Sequence, residues 1–116
     1  MIKMYGIPNC DTIKKARNWL KDNNVDYEFH NYKKDGVPEK ELKKWIKATG
    51  WELLLNKRGT TWRKLDDAIK HNITKESAIK IMLDNASIIK RPVVDDGKNI
   101  LVGFAEDEYK TKLNLL

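Results

Sequence analysis

The sequence predicts an α/β protein whose four-stranded mixed sheet is assembled as βαβ, a helical block, and then ββα. Three observations predict it. Strand, helix and strand patterns follow one another at the start within about 32 residues, the length of a parallel βαβ unit. The middle of the chain keeps helical spacing. The last third returns to β-rich runs, split at Asp96-Gly97, before a closing amphipathic stretch.

Ile2 to Gly6 (IKMYG) alternates apolar and polar residues and stops at Gly6 and Pro8, a strand running into a loop. Asp11 or Thr12 is placed to cap the following helix, where Ile13, Ala16, Arg17 and Leu20 recur at three- and four-residue spacing beside Trp19. That helix should end near Asn23 and Asn24. Val25 to Tyr32 alternates again, with Val25, Tyr27 and Phe29 on one face. After the polar turn at 33 to 36, Pro38 is expected at a first helical position, and Glu39 to Thr49 reads as a helix with Leu42, Trp45 and Ile46 inward, closed by Gly50.

Trp51 to Leu55 reads as a short helical turn, Asn56 to Lys64 as a polar connection, and Leu65 to Lys70 as a further helical segment. Thr74, followed by Ser77, offers half a capping box to a helix carried by Ala78, Ile79, Met82 and Leu83 to Asn85. Ser87 to Asp95 and Asn99 to Phe104 read as two strands joined by a type I′ hairpin at Asp96-Gly97. Glu106 to Leu116 closes the chain as a helix with Tyr109, Leu113 and Leu116 inward. Trp19 and Trp45 are expected in the core.

At 116 residues the chain suits one domain, 1–116, with a helical insertion at about 37–85. Hydrophobic residues at 41% and charged residues at 34% suit a globular domain and exclude a disordered chain. No stretch has the length of a membrane span and the N-terminus lacks a signal-peptide core, so a cytoplasmic protein without membrane contact is expected. The net charge of +6 is spread over helix faces, where lysines alternate with acids and aromatic residues do not interleave with them. Direct nucleic-acid binding is therefore not expected. His30 and His71 stand apart from each other and from the single cysteine, so neither a metal nor another bound cofactor is expected.

That cysteine, Cys10, lies in the first β-to-α loop, the layout of a thioredoxin-type domain. The first amides of a helix lack intrahelical acceptors and carry about half a positive charge, so a thiolate there is stabilised and its pKa falls below the free value of about 8.5. Lys14 and Lys15 add weak support and Asp11 opposes it. Pro92, inside a strand-like run, must sit at an edge, a bulge or a cis bond. In thioredoxin-type domains a cis proline in this place faces the catalytic loop, which would set Arg91 beside Cys10 as an anion-holding group.

Four segments, GIPNCDTIKKARNWL, RGTTWRKL, IIKRPVV and LVGFAEDEY, resemble landmark segments of the arsenate-reductase-like family. This thioredoxin-fold group includes ArsC-type reductases, Spx regulators and YffB-type proteins, and the resemblance is nearest to the YffB-type branch. It implies Cys10 as nucleophile and Arg91 as its catalytic partner. It also implies Arg58, Asn9, Asp11, Thr12 and Pro92 as substrate-binding positions. ArsC-type reductases hold arsenate with three arginines, of which this chain clearly matches Arg91. Asn56 falls where the first would be, with Arg58 two residues away, and Leu101 to Phe104 offers no third. Each lost charge-assisted hydrogen bond is worth about 1.5–3 kcal/mol, so efficient arsenate reduction is not expected.

Ile13 stands three residues after Cys10, so a CxxC switch cannot form. The expectation is a monomeric, single-cysteine, thiol-dependent reductase regenerated by glutathione, another low-molecular-weight thiol or a glutaredoxin-like protein. The alternative is an Spx-like regulator that binds the C-terminal domain of the RNA polymerase α subunit without catalysis.

Overall fold

The computed structural model describes residues 1–113. Its backbone contacts gather into two compact units, Met1–Asp35 with Arg91–Leu116, and Gly36–Lys90. The expected helical insertion falls inside the second.

The first unit is built on the sheet order β2-β1-β3-β4, formed by β1 (Ile2–Gly6), β2 (Tyr27–Asn31), β3 (Val93–Asp95) and β4 (Ile100–Val102). β1 pairs parallel with β2, in register Met4 to Phe29, and antiparallel with β3, in register Met4 to Val94. β3 and β4 are antiparallel. Helix α1 (Asp11–Asp22) makes the crossover between the parallel strands. This is the mixed thioredoxin-like sheet expected from the strand patterns. One sheet face, with Met4, Val94 and Leu101, packs on Ile13, Ala16, Trp19 and Leu20 of α1 and on Tyr109, and Val25, Tyr27 and Phe29 join its margin.

Three local expectations change in this unit. β2 ends at Asn31, and Tyr32 opens a helical turn, α2 (Tyr32–Asp35), because Asn31 Oδ1 accepts the Lys33 N–H at 2.9 Å and turns the chain. The β3–β4 connection is not a two-residue type I′ turn. That turn needs positive φ at both central residues, and of Asp96 and Gly97 only Gly97 has it. A four-residue loop, 96–99, forms instead, held by Asp96 Oδ1, which accepts from the Lys98 and Asn99 amides at 2.8 and 2.6 Å. Those amides hold the Asp96 carboxyl below its usual range, against the partial burial that raises it. Finally, the strand expected from Ser87 begins only at Val93.

The second unit packs α3 (Glu39–Thr49), α4 (Trp51–Leu54) and α7 (Lys75–Asp84) around Leu42, Trp45, Ile46, Leu54, Ala78 and Met82. Pro38 is the N-cap of α3 rather than its first helical residue, and Gly50 ends the helix at φ +89, donating to Ile46 O at 2.7 Å. The polar connection contains a turn of helix, α5 (Thr60–Arg63), and the next segment is shifted to α6 (Asp67–His71). Ala86–Ile88 forms a 3₁₀ turn where a strand was expected, because Ile88 and Ile89 are buried. An isolated antiparallel bridge joins Leu55 to Ile89.

The capping box of α7 is complete. Thr74 Oγ1 accepts the Ser77 N–H at 3.2 Å, and Ser77 Oγ accepts the Thr74 N–H at 2.8 Å, so serine does the work usually given to Glu or Gln. Thr74→Ala is expected to cost about 1 kcal/mol, read as a lowered urea midpoint at unchanged slope.

Back in the first unit, helix α8 (Glu106–Lys112) follows β4 and buries Tyr109, while Leu113 packs at the core margin. Leu116, expected inward, lies outside the described residues. Trp19 and Trp45 are both buried. His30 sits between Tyr5 and Tyr32, with ring centroids at 5.2 and 6.0 Å, and His71 is exposed. Among the described residues no cluster of side chains fits a metal ion, and no helix is long and apolar enough to cross a membrane.

Candidate active site

Cys10 is itself the N-cap of α1. Its backbone is extended (φ −138°, ψ 128°), and its carbonyl accepts the first helical bond, from Lys14 N–H at 3.0 Å. Asp11 and Thr12, the capping candidates in the sequence, are already inside the helix. The N-cap side chain is the one aimed at the second and third helical amides, here those of Thr12 and Ile13. As a thiol it forms no cap hydrogen bond, but as a thiolate it gains from both amides.

Partial burial is the largest single influence on Cys10 and pushes its pKa up. The Ile13 amide, a hydrogen bond from Arg91, the Thr12 amide and the Arg91 charge together outweigh it, and the pKa is lowered.

Arg91 and Gly6 both border this loop. The Arg91-Pro92 peptide bond is cis, at the entry to β3. Gly6 ends β1 without a side chain, and a Cβ there would run into Ile13 Cδ1 and lie 3.9 Å from Arg91 Cβ. A side chain at position 6 would therefore have to displace the buried Ile13 tip at the helix start, whereas Arg91 lies at ordinary contact distance. Pro92 is buried, and its carbonyl accepts the Gly103 N–H at 2.8 Å. Gly103, at φ +82, in turn accepts from the Tyr109 hydroxyl at 2.7 Å. β4 and α8 thus brace the turn that carries Arg91.

Of the remaining sequence candidates, Asn9, Asp11 and Thr12 are exposed around the thiol. Arg58 is exposed in the second unit, where its N–H donates to Asn56 Oδ1 at 3.2 Å. Tyr32 went unrecognised as a neighbour of Arg91. Burial and Tyr5 push its phenol well above the usual value, and Arg91 opposes them. Its sequence signal, one more apolar residue in an alternating run, pointed to a strand.

The ArsC family matches residues 5–112 of the sequence. The chain belongs to the ArsC family. A solved structure of the protein YFFB is 46% identical and superposes with a TM-score of 0.92, covering 96% of this chain and 97% of its own. An ArsC-related protein from Brucella melitensis, described as arsenate reductase related, is 44% identical with a TM-score of 0.78, over 97% of this chain and 93% of its own. The global transcriptional regulator Spx of Staphylococcus aureus is 28% identical over 95% of this chain and 85% of its own length. Relatives of this chain thus carry both arsenate-reductase-related and regulator names.

Proposed function

We propose that the protein is a thiol-dependent reductase with one nucleophilic cysteine. The observation that carries this reading is the Cys10 thiolate site: an N-cap sulfur favoured as an anion by the Thr12 and Ile13 amides and by Arg91. In the first step the thiolate attacks one sulfur of a disulfide. A Cys10 mixed disulfide forms, the substrate S–S bond breaks, and the departing thiolate takes a proton from water. An external thiolate then attacks the substrate-derived sulfur of that adduct, giving a new disulfide and returning Cys10 as thiolate. Each cycle consumes one external thiol and releases one substrate thiol, so the substrate disulfide is exchanged for one that carries the donor sulfur, and the protein ends unchanged. The cytoplasm, where small thiols are kept reduced, suits this chemistry.

Arsenate is a poor candidate substrate. Arg91 supplies one guanidinium, and position 103 is a left-handed glycine that arginine rarely replaces without strain. The test is turnover of the mixed disulfide of glutathione and 2-mercaptoethanol, with glutathione as donor, beside arsenate with the same donor. Disulfide turnover that falls to background in Cys10→Ser is expected, with arsenate far slower. Equal rates in the wild type and Cys10→Ser would overturn the reading.

The likeness to Spx favours a second reading, binding of the RNA polymerase α C-terminal domain through the protein surface. A pull-down with that domain that succeeds equally with Cys10→Ser, together with absent turnover, would select it.

A further inference from the structure

Helix α1 carries a line of positive charge that leads away from Cys10. Lys14, Arg17 and Lys21 follow the cysteine by four, seven and eleven residues, the spacing that keeps side chains on one side of a helix. At 1.5 Å per residue the line runs about 16 Å from the cap to Lys21. Lys14 and Lys21 are exposed and Arg17 is half-buried. No acidic residue lies between Lys14 and Lys21 in the sequence, and among the described residues none of the three cations is in a salt bridge. The acids of this helix stand at its ends, Asp11 and Asp22. Arg17 is the fixed member of the line. Its Nε donates to the Tyr27 hydroxyl at 2.8 Å, and its guanidinium lies over the Phe29 ring, 4.5 Å from the centroid. A guanidinium held this way still offers N–H groups to a carboxylate and loses little freedom on binding one. At the far end Lys21 and Asp26 line one cavity, so a carboxylate bounds the line there.

Three cations in line with no acid between them complement a run of carboxylates. An extended peptide advances about 3.3 Å per residue, so the line spans about five residues of such a chain. We propose that this side of α1 docks an acidic segment of a polypeptide substrate and presents its neighbouring disulfide to Cys10. The Cys10 thiolate attacks the sulfur of the substrate cysteine. The new S–S bond joins the two proteins, the substrate's S–S bond breaks, and its other sulfur leaves as a thiolate that takes a proton from water. In this bond-making step the proposal rests on the reductase reading and names its substrate class, a protein disulfide flanked by acids. The docking surface itself stands on the charges of α1.

Three peptides test it, each with one cysteine blocked as the neutral 2-thiopyridyl disulfide. The first carries glutamates within about five residues of the cysteine, the second the same glutamates beyond about ten residues, and the third glutamines in place of the near glutamates. Release of pyridine-2-thione reports attack by Cys10. At low ionic strength the near-acid peptide is expected to react about tenfold faster than the glutamine peptide, and the far-acid peptide less than about threefold faster. The near-acid preference should fall below about threefold in Lys14→Gln/Lys21→Gln, and in the wild type at about 0.5 M salt. Each ratio is read on one protein, so a shifted Cys10 pKa cancels. Lys14→Glu/Lys21→Glu should turn the preference towards a lysine peptide, which a damaged fold would not do. An unchanged ratio in either variant, or equal rates for near and far acids, would overturn the proposal. Docking is read separately, from α1 backbone amide shifts when Cys10→Ser meets the near-acid peptide with serine for its cysteine. A single-stranded oligonucleotide that moves those amides at lower concentration than the peptide would assign the surface to nucleic acid and overturn the proposal. Docking without reaction supports the surface while the reductase reading fails, and reaction with all three peptides alike does the reverse.

Discussion

Replacing Arg91 with alanine is expected to move the pH profile of Cys10 alkylation to higher pH and to slow mixed-disulfide turnover by about tenfold or more, the rate equivalent of one charge-assisted hydrogen bond. Arg91 acts on the thiol twice, as a hydrogen-bond donor and as a charge. Removing it leaves the Thr12 and Ile13 amides to oppose burial alone. In the wild type, iodoacetamide reactivity should rise with an apparent pKa below the free-thiol value of about 8.5, and Cys10→Ser should show no labelling. An unchanged profile in Arg91→Ala would mean that the amides alone set the thiolate. The same site makes stability depend on pH. The folded pKa is depressed, so the thiolate contributes stability that is fully present above the unfolded value, about 8.5, and is lost as pH falls through the folded value. The wild type should therefore gain stability over Cys10→Ala across that window as pH rises.

Tyr109→Ala should be among the most destabilising single substitutions, at about 3–5 kcal/mol, a large part of the roughly 5–15 kcal/mol available to a domain. Tyr109 is fully buried and meets Trp19 and Phe104 edge-on, with centroids at 5.7 and 5.0 Å. Its hydroxyl also donates to Gly103 O, and the Gly103 N–H holds Pro92. Tyr109→Phe keeps the packing and removes only the hydrogen bond, at about 0.5–1.5 kcal/mol. Urea unfolding separates the two. A loss under about 1 kcal/mol for Tyr109→Ala would show that α8 contributes little to the core. In Tyr109→Phe, slower Cys10 alkylation at neutral pH is expected, because the brace behind the Arg91-Pro92 turn is loosened.

Where the sequence reading succeeded, its signals were local. The periodicity of Ile13, Ala16 and Leu20, the glycine stop at Gly50, and the strand-loop-helix order around Cys10 each concern residues within a turn or two of one another. Hydrogen bonding and side-chain direction over that distance follow from backbone geometry. Ile88 and Ile89 show the opposite case. Their apolar run reads as the start of a strand, but burial and the bridge to Leu55, more than thirty positions earlier, divert the chain into a 3₁₀ turn. Tyr32 and the Asp96-Gly97 loop failed for a related reason. Side-chain oxygens of Asn31 and Asp96 captured backbone amides and replaced the regular pattern.

By itself, the sequence determined the four-stranded plan, its membership of the ArsC family, and a lone cysteine at a helix start with no resolving partner. Only the tertiary structure decided that Cys10 is the N-cap residue, that the Arg91-Pro92 bond is cis, and that Arg91 lies near enough to the sulfur to favour its thiolate. Positions 6, 10 and 91 meet through the β1–β3 pairing, and a contact made across some eighty residues leaves no trace in periodicity or capping signals. It arises when burial of the sheet face brings β3 beside β1.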